Sequence, residues 1–218
     1  MQRRNTMHTV LEKLFPIGLI PVVAVHDSHD AVSLVNAFGA GGIHAAEITF
    51  RTAAAEDSIR NISQNCPDTI VGAGTVVTPQ QCRTAIAAGA KFIVTPGYDQ
   101  KIVDICLEQN IAVLPGCPTT SDLMLAVQSG LEVVKFFPAQ QLGGLSFLKS
   151  IAPVFPSLRF MPTGGISMDN LEEYLRAPMV FACGGSYISP AKLIEAKAWK
   201  EITLLCDKTS ELVRKVRG

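Results

Sequence analysis

The sequence predicts an α/β protein: a (β/α)8 TIM barrel, formed as one domain over residues 1–218, with an additional helix at the N-terminus. Three observations carry this prediction. Eight short apolar runs begin roughly 20 to 27 residues apart, about the length of one βα unit in an eight-fold barrel. They cover 19–25, 45–50, 70–73, 92–95, 112–114, 132–137, 159–162 and 180–183. Near-continuous apolar strands alternating with helices indicate a parallel sheet covered by helices. A doubly wound open sheet would give the same alternation. The count of eight favours the barrel, as does the segment after the first run, Val23-Ala24-Val25-His26-Asp27, which is no glycine-rich phosphate loop.

Each element has its own signals. Over 8–15, Val10, Leu11, Leu14 and Phe15 share one helical face, and Pro16 is expected to end that helix. Several later helical segments finish in residues that accept the left-handed conformation closing a helix: Gly41-Gly42, Gly89, Asn110 and Gly130. Others open on capping residues, at Thr78-Pro79, Thr119-Thr120-Ser121-Asp122 and Ser167-Met168-Asp169-Asn170. The last thirty or so residues, with Leu193, Ile194, Trp199, Ile202, Leu205, Leu212 and Val213, read as closing helices.

Composition narrows the function. Hydrophobic residues make up 48% and charged residues 17%, which fits a compact globular chain and not a disordered one. Nineteen basic residues balance nineteen acidic ones, without a basic stripe interleaved with aromatics, so nucleic acid is not an expected partner. No apolar run is long enough to span a bilayer. The first eight residues lack the apolar core of a signal peptide. The six cysteines are scattered without a CxxC pair, as in free thiols of a reducing compartment, and a cytoplasmic location is expected. His8, His26, His29 and His44 have no ligand spacing, so no metal is expected.

The chemistry is expected at the C-terminal ends of the strands. Lys135 sits among Val133, Val134, Phe136 and Phe137, and a buried ammonium is costly unless it is paired or gives up its proton. The neutral amine is the nucleophile that attacks ketones. In the second run, alternation puts Glu47, Thr49 and Arg51 on one face and Ile48 and Phe50 on the other. The carboxylate and guanidinium there are either a structural ion pair or a general base beside a fork for a substrate carboxylate. The third run ends in Gly72-Ala73-Gly74-Thr75, small residues that would let a ligand approach, with one hydroxyl. The Cys117 thiol reads as packing. Paired glycines Gly164-Gly165 and Gly184-Gly185, taken to follow the seventh and eighth strands, stand where barrels commonly hold phosphate. The set describes a Schiff-base enzyme for a phosphorylated keto acid.

These residues also resemble a known family. Glu47-Ile-Thr-Phe-Arg51, Gly72-Ala-Gly-Thr75, Thr95-Pro96-Gly97, Lys135-Phe-Phe-Pro138, Pro162-Thr-Gly-Gly165 and Gly184-Gly-Ser186 are similar, in order and spacing, to the class I 2-keto-3-deoxy-6-phosphogluconate aldolases. The resemblance runs from about residue 8 to the C-terminus. It implies a homotrimeric barrel, without a cofactor, that releases pyruvate and glyceraldehyde 3-phosphate, and in many members also cleaves 4-hydroxy-2-oxoglutarate. It further implies Lys135 as the Schiff-base lysine and Glu47 as acid and base. Arg51 and Thr75 would hold the pyruvyl carboxylate, Pro96 would line the substrate site, and Thr163 would sit near the C4 oxygen. Gly164, Gly165, Gly184, Gly185 and Ser186 would hold the phosphate. Phe136 and Phe137 would keep the amine in apolar surroundings, and which of them faces the ligand is open at this point. Gln140 and Tyr187 depart from residues common in the family, which bears on substrate range. The alternatives are an aldolase for the C4 epimer, 2-dehydro-3-deoxy-6-phosphogalactonate, and more remotely a phosphate-binding barrel isomerase or synthase.

Overall fold

The computed structural model describes residues 8–218. The N-terminal stretch read for a signal peptide lies outside the described residues, except for His8. Among the described residues eight parallel strands alternate with helices: β1 (Leu19–Val23), β2 (Ala45–Thr49), β3 (Ile70–Gly74), β4 (Phe92–Val94), β5 (Ala112–Leu114), β6 (Val133–Phe136), β7 (Arg159–Pro162) and β8 (Cys183–Gly185). Continuous ladders run in the order β5-β4-β3-β2-β1-β8, and a separate ladder joins β6 to β7. Single bridges close the circle, Gly116 to Lys135 on one side of that pair, and Phe160 to Val180 and Thr163 to Gly184 on the other. The expected barrel is therefore present.

The helices are α1 (Thr9–Leu14), α2 (Ala31–Ala40), α3 (Ala55–Asn65), α4 (Pro79–Ala87), α5 (Gln100–Glu108), α6 (Thr120–Gln128), α7 (Gly144–Ile151), α8 (Met168–Arg176), α9 (Ala191–Glu195) and α10 (Trp199–Arg217). Their ends follow the sequence signals. Thr78 caps α4 with Pro79 in the first turn. Thr119 with Asp122, and Ser167 with Asn170, form capping boxes. Asn110 closes α5 in the left-handed region at φ +53°. The first α-helix ends at Leu14, just ahead of Pro16 as expected. Pro16 itself sits in a short 3₁₀ turn, Phe15–Ile17, where a proline in a first turn forfeits no hydrogen bond, and Gly18 at φ +70° closes that turn.

Strand alternation sorts the apolar residues into two cores. Ile20, Ala45, Phe92, Val94, Ala112, Leu114, Val133, Met161 and Phe181 belong to the barrel interior, which Leu11 and Leu14 of α1 join. Val23, Ala46, Ile48, Ala73, Ile93, Val113, Val134, Phe136 and Phe160 face the helices. On β2 and β6 this alternation turns Glu47, Thr49 and Lys135 away from the helix-facing core.

The eighth strand departs from the expectation. Pairing with β1 begins only at Cys183, and Gly184 and Gly185 lie opposite Ile20 and Pro21. The two glycines are thus strand residues and do not follow the strand. The apolar residue Val180 instead bridges to Phe160. Closure of the barrel against β1 outweighs the low strand preference of glycine.

Candidate active site

Lys135 is 5% exposed and Glu47 is fully buried. They come from β6 and β2, on opposite sides of the sequence, and meet with Nζ 3.4 Å from Oε1. The buried amine therefore has a carboxylate as its neighbour. The contact is longer than the 2.7–2.9 Å usual for an ammonium–carboxylate bond. The second carboxylate oxygen, Oε2, is buried without a hydrogen-bond partner. Buried polar groups that are loosely paired on one side and unpartnered on the other are costly, and such groups cluster where chemistry is done. The Phe137 ring lies with its centroid 5.3 Å from the Lys135 Nζ. Phe136 stacks on Phe147 in the outer core, centroids 5.2 Å apart. So Phe137 is the aromatic that faces the amine.

Arg51 does not pair with Glu47. Its Nε donates to the Thr49 hydroxyl at 3.2 Å, and among the described residues no carboxylate forms an ion pair with it. Thr49 is fully buried and its hydroxyl donates to the carbonyl of Val23 at 3.0 Å. The structural ion pair considered from the sequence is therefore absent there. The guanidinium stands exposed beyond the end of β2 with its terminal nitrogens available.

The glycines of β3 serve a purpose the sequence did not reveal. A Cβ on Gly74 would lie 2.1 Å from Glu47 Oε1, and one on Gly72 would lie 2.4 Å from the Phe92 ring. They make room for protein side chains rather than for an approaching ligand. Next in the chain, Thr75 adopts φ +54°. For a β-branched residue this is a strained conformation, of the kind found at functional sites.

Pro96 borders a cavity of about 190 Å³ shared with Val76, Val77, Thr95 and Gly97. Its carbonyl abuts Gly116, the residue bridged to Lys135. Across the barrel, the Thr163 backbone N–H donates to Phe136 at 2.9 Å. A Cβ on Gly184 would lie 2.3 Å from the Thr163 Oγ1, so this glycine accommodates Thr163. Gly164 and Gly165, one residue beyond the end of β7, take φ of +97° and +78°. Among the described residues their backbone N–H groups donate to no protein acceptor. Two successive unbonded backbone donors are polar groups that an anion could engage. Ser186 is exposed just beyond β8. Gln140 packs over Gly165, and Tyr187 bonds Thr209 of α10 at 2.9 Å.

The thiols stand apart from this chemistry. All six cysteines are free and buried. Burial pushes the Cys117 thiol up to about 12, which leaves it protonated and unreactive, in line with a packing role.

Comparison with known proteins agrees with this geometry. The family model described as "Aldolase: KDPG and KHG aldolase" matches residues 10–205. A 2-dehydro-3-deoxy-phosphogluconate aldolase of Treponema pallidum is 42% identical over 207 residues, covering 95% of this chain and 99% of its own. A KHG/KDPG aldolase of Escherichia coli K12 is 41% identical, covering 93% and 96%. Among solved structures, a KDPG aldolase of Legionella pneumophila, with pyruvate captured as a covalent carbinolamine, superposes with a TM-score of 0.87. It shares 40% identity and the match covers 90% of this chain and 96% of that one.

Proposed function

The chain belongs to the KDPG and KHG aldolase family, and from that premise we propose a class I aldolase whose Schiff-base lysine is Lys135. It cleaves 2-keto-3-deoxy-6-phosphogluconate to pyruvate and glyceraldehyde 3-phosphate. The smaller 4-hydroxy-2-oxoglutarate, giving pyruvate and glyoxylate, is its second substrate. The observation that carries this reading is the buried Lys135 amine 3.4 Å from a carboxylate whose other oxygen has no partner.

The amine adds to the C2 ketone, and the carbinolamine loses water to give a protonated imine. Glu47 moves the protons of these steps, directly or through one water. It then takes the proton of the C4 hydroxyl as the C3–C4 bond breaks. The electron pair of that bond passes to the imine as an enamine, and C4 leaves as the aldehyde. Protonation at C3, followed by hydrolysis that returns the water, releases pyruvate and regenerates Lys135.

Arg51 and Thr75 hold the substrate carboxylate, and Pro96 and Thr163 line the reacting chain. The phosphate rests on the free N–H groups of Gly164 and Gly165 with the Ser186 hydroxyl. Gly184 and Gly185, held in β8, contribute from the strand end. The chemistry needs no metal, so activity should persist in excess chelator.

The single-domain reading over 1–218 belongs with this proposal. Six unpaired thiols support a reducing, cytoplasmic setting, and among the described residues no helix is long and apolar enough to cross a membrane. Exposed Met124, Leu125 and Val127 on α6, beside Val154, support association between copies, with the homotrimer as the proposed state. Light scattering should then give three times the 23.3 kDa chain mass.

The decisive experiment is borohydride reduction with pyruvate, followed by mass spectrometry of the digest. An adduct on the Lys135 peptide is expected. A folded protein without an adduct, or one modified elsewhere, would overturn the assignment. The ratio of kcat/KM for the two C4 epimers separates the gluconate from the galactonate activity.

A further inference from the structure

The geometry points to Thr49 as a positioning residue for the substrate carboxylate, acting through Arg51. Its fully buried hydroxyl donates to the Val23 carbonyl at 3.0 Å. A hydroxyl that spends its one proton in this way presents lone pairs to any further partner. The partner is the Arg51 Nε–H, at 3.2 Å. The order of donation is thus fixed from guanidinium to hydroxyl to backbone, and its anchor, Val23, is the last residue of β1 and lies opposite Ile48 in the β1–β2 ladder. A rigid sheet position therefore holds one edge of a long side chain that is otherwise exposed.

Two consequences follow. With Nε engaged, a carboxylate can meet Arg51 only end-on, through the two terminal nitrogens, and not along the edge that includes Nε. The rotamer freedom of Arg51 is also largely removed before substrate arrives, which lowers the entropic cost of binding. Valine has the shape of threonine but neither accepts nor donates.

This inference rests on the reading of Arg51 as the carboxylate ligand, and the test separates the two. Thr49→Val, Thr49→Ser and Arg51→Ala are compared with the unaltered protein, alone and with Thr49→Val combined with Arg51→Ala. Keto-acid KM and kcat are measured, together with the pyruvate concentration needed for half-maximal borohydride trapping. Thr49→Val should raise KM and the trapping midpoint about 5- to 20-fold, the loss of roughly one ordered side chain, with kcat within about threefold. Thr49→Ser should restore both, and Thr49→Val should add nothing once Arg51 is alanine.

An equal effect of Thr49→Val with and without Arg51 would make its role merely structural and overturn the inference. So would a serine variant as weak as the valine one. If Thr49→Val does not fold, failure of the folded Thr49→Ser variant to keep the trapping midpoint of the unaltered protein does the same. An Arg51→Ala variant with an unchanged midpoint would remove Arg51 from carboxylate binding, and the Thr49 inference with it. Absence of any pyruvate adduct in the unaltered protein would instead sink the aldolase reading itself.

Discussion

Both ends of the barrel hold cations against aromatic rings, but they differ in how far those cations and their partners are satisfied. At the N-terminal end the Arg217 guanidinium lies 4.5 Å over the Phe15 ring. It donates to the carbonyls of Phe15 at 2.5 Å, Phe181 at 2.9 Å and Val180 at 3.2 Å. Arg159 covers Phe15 and Phe181 at 5.2 and 5.7 Å. At the C-terminal end Lys135 faces Phe137 at 5.3 Å, has one contact at 3.4 Å, and its carboxylate partner keeps a bare oxygen. A saturated cation closes a core, whereas an unsaturated one fits the reactive amine proposed for Lys135. Chemistry at the barrel's C-terminal end and stability at its base then follow from hydrogen-bond satisfaction.

The largest expected effect is at the unsaturated end. Lys135→Met should abolish the pyruvate adduct and lower turnover by about 10⁴-fold or more, since the proposed nucleophile is removed. Glu47→Gln should still allow pyruvate to be trapped while slowing turnover by about 10²–10⁴-fold, and steady-state kinetics would read it directly. Changed together, Lys135→Met and Glu47→Gln should leave the thermal midpoint level or higher, because a loosely paired buried ion pair contributes little net stability. A large drop in the midpoint would mean that the pair holds the fold, and the contrast between the ends would fail.

Gly74→Ala tests the same end without touching a charged group. Its Cβ would displace the Glu47 carboxylate, and a misplacement of about 1 Å can cost around 10²-fold in rate. Gly72→Ala is the matched control one pleat earlier. It meets the Phe92 ring of the interior core, and should instead lower stability by about 1–3 kcal/mol. Calorimetry and kcat on the two variants should therefore give opposite patterns.

Arg217→Ala probes the saturated end. Three carbonyls lose a charged donor, and a loss of about 2 kcal/mol in chemical denaturation is expected with unchanged KM.

How far this contrast could be read beforehand depended on distance along the chain. The eight strands and most helix ends were legible because their signals are local: runs of Val, Ile and Phe, capping pairs such as Thr119 with Asp122, and closing residues such as Asn110. The Lys135–Glu47 contact joins residues 88 apart, and only the closed barrel brings them within 3.4 Å. Individually they were legible as an amine in an apolar strand and a carboxylate alternating with Thr49 and Arg51. Gly74 was read as access for a ligand because nothing in its neighbourhood reveals that Glu47 lies across the adjacent strand. The bounds of β8 were missed because Gly184 and Gly185 have no local strand preference and pair only when β1 closes the barrel. That Phe137 and not Phe136 faces the amine follows from two-residue alternation with Lys135, a signal present in the sequence but masked by Pro138 beside it.

The smallest effect at neutral pH belongs to Cys117, which sits near the reactive end yet behaves like the saturated one. It is fully buried, and burial pushes its thiol up to about 12, as it does for Cys183 and Cys206. In the unfolded chain these thiols ionise near their ordinary value of 9.0. Between about pH 9 and 12 the folded protein therefore keeps protons that the unfolded chain has lost. Stability is full below pH 9 and declines as pH rises through that window, by about 1.4 kcal/mol per pH unit for each such thiol. Cys117→Ala should thus leave kcat at pH 7.5 within about twofold. In urea titrations between pH 9.5 and 11, it should reduce the alkaline loss of stability by the share of one thiol. An unaltered alkaline slope would show that burial does not hold the proton on this thiol, and a variant that lost most of its activity would place Cys117 with Lys135 and Glu47 after all.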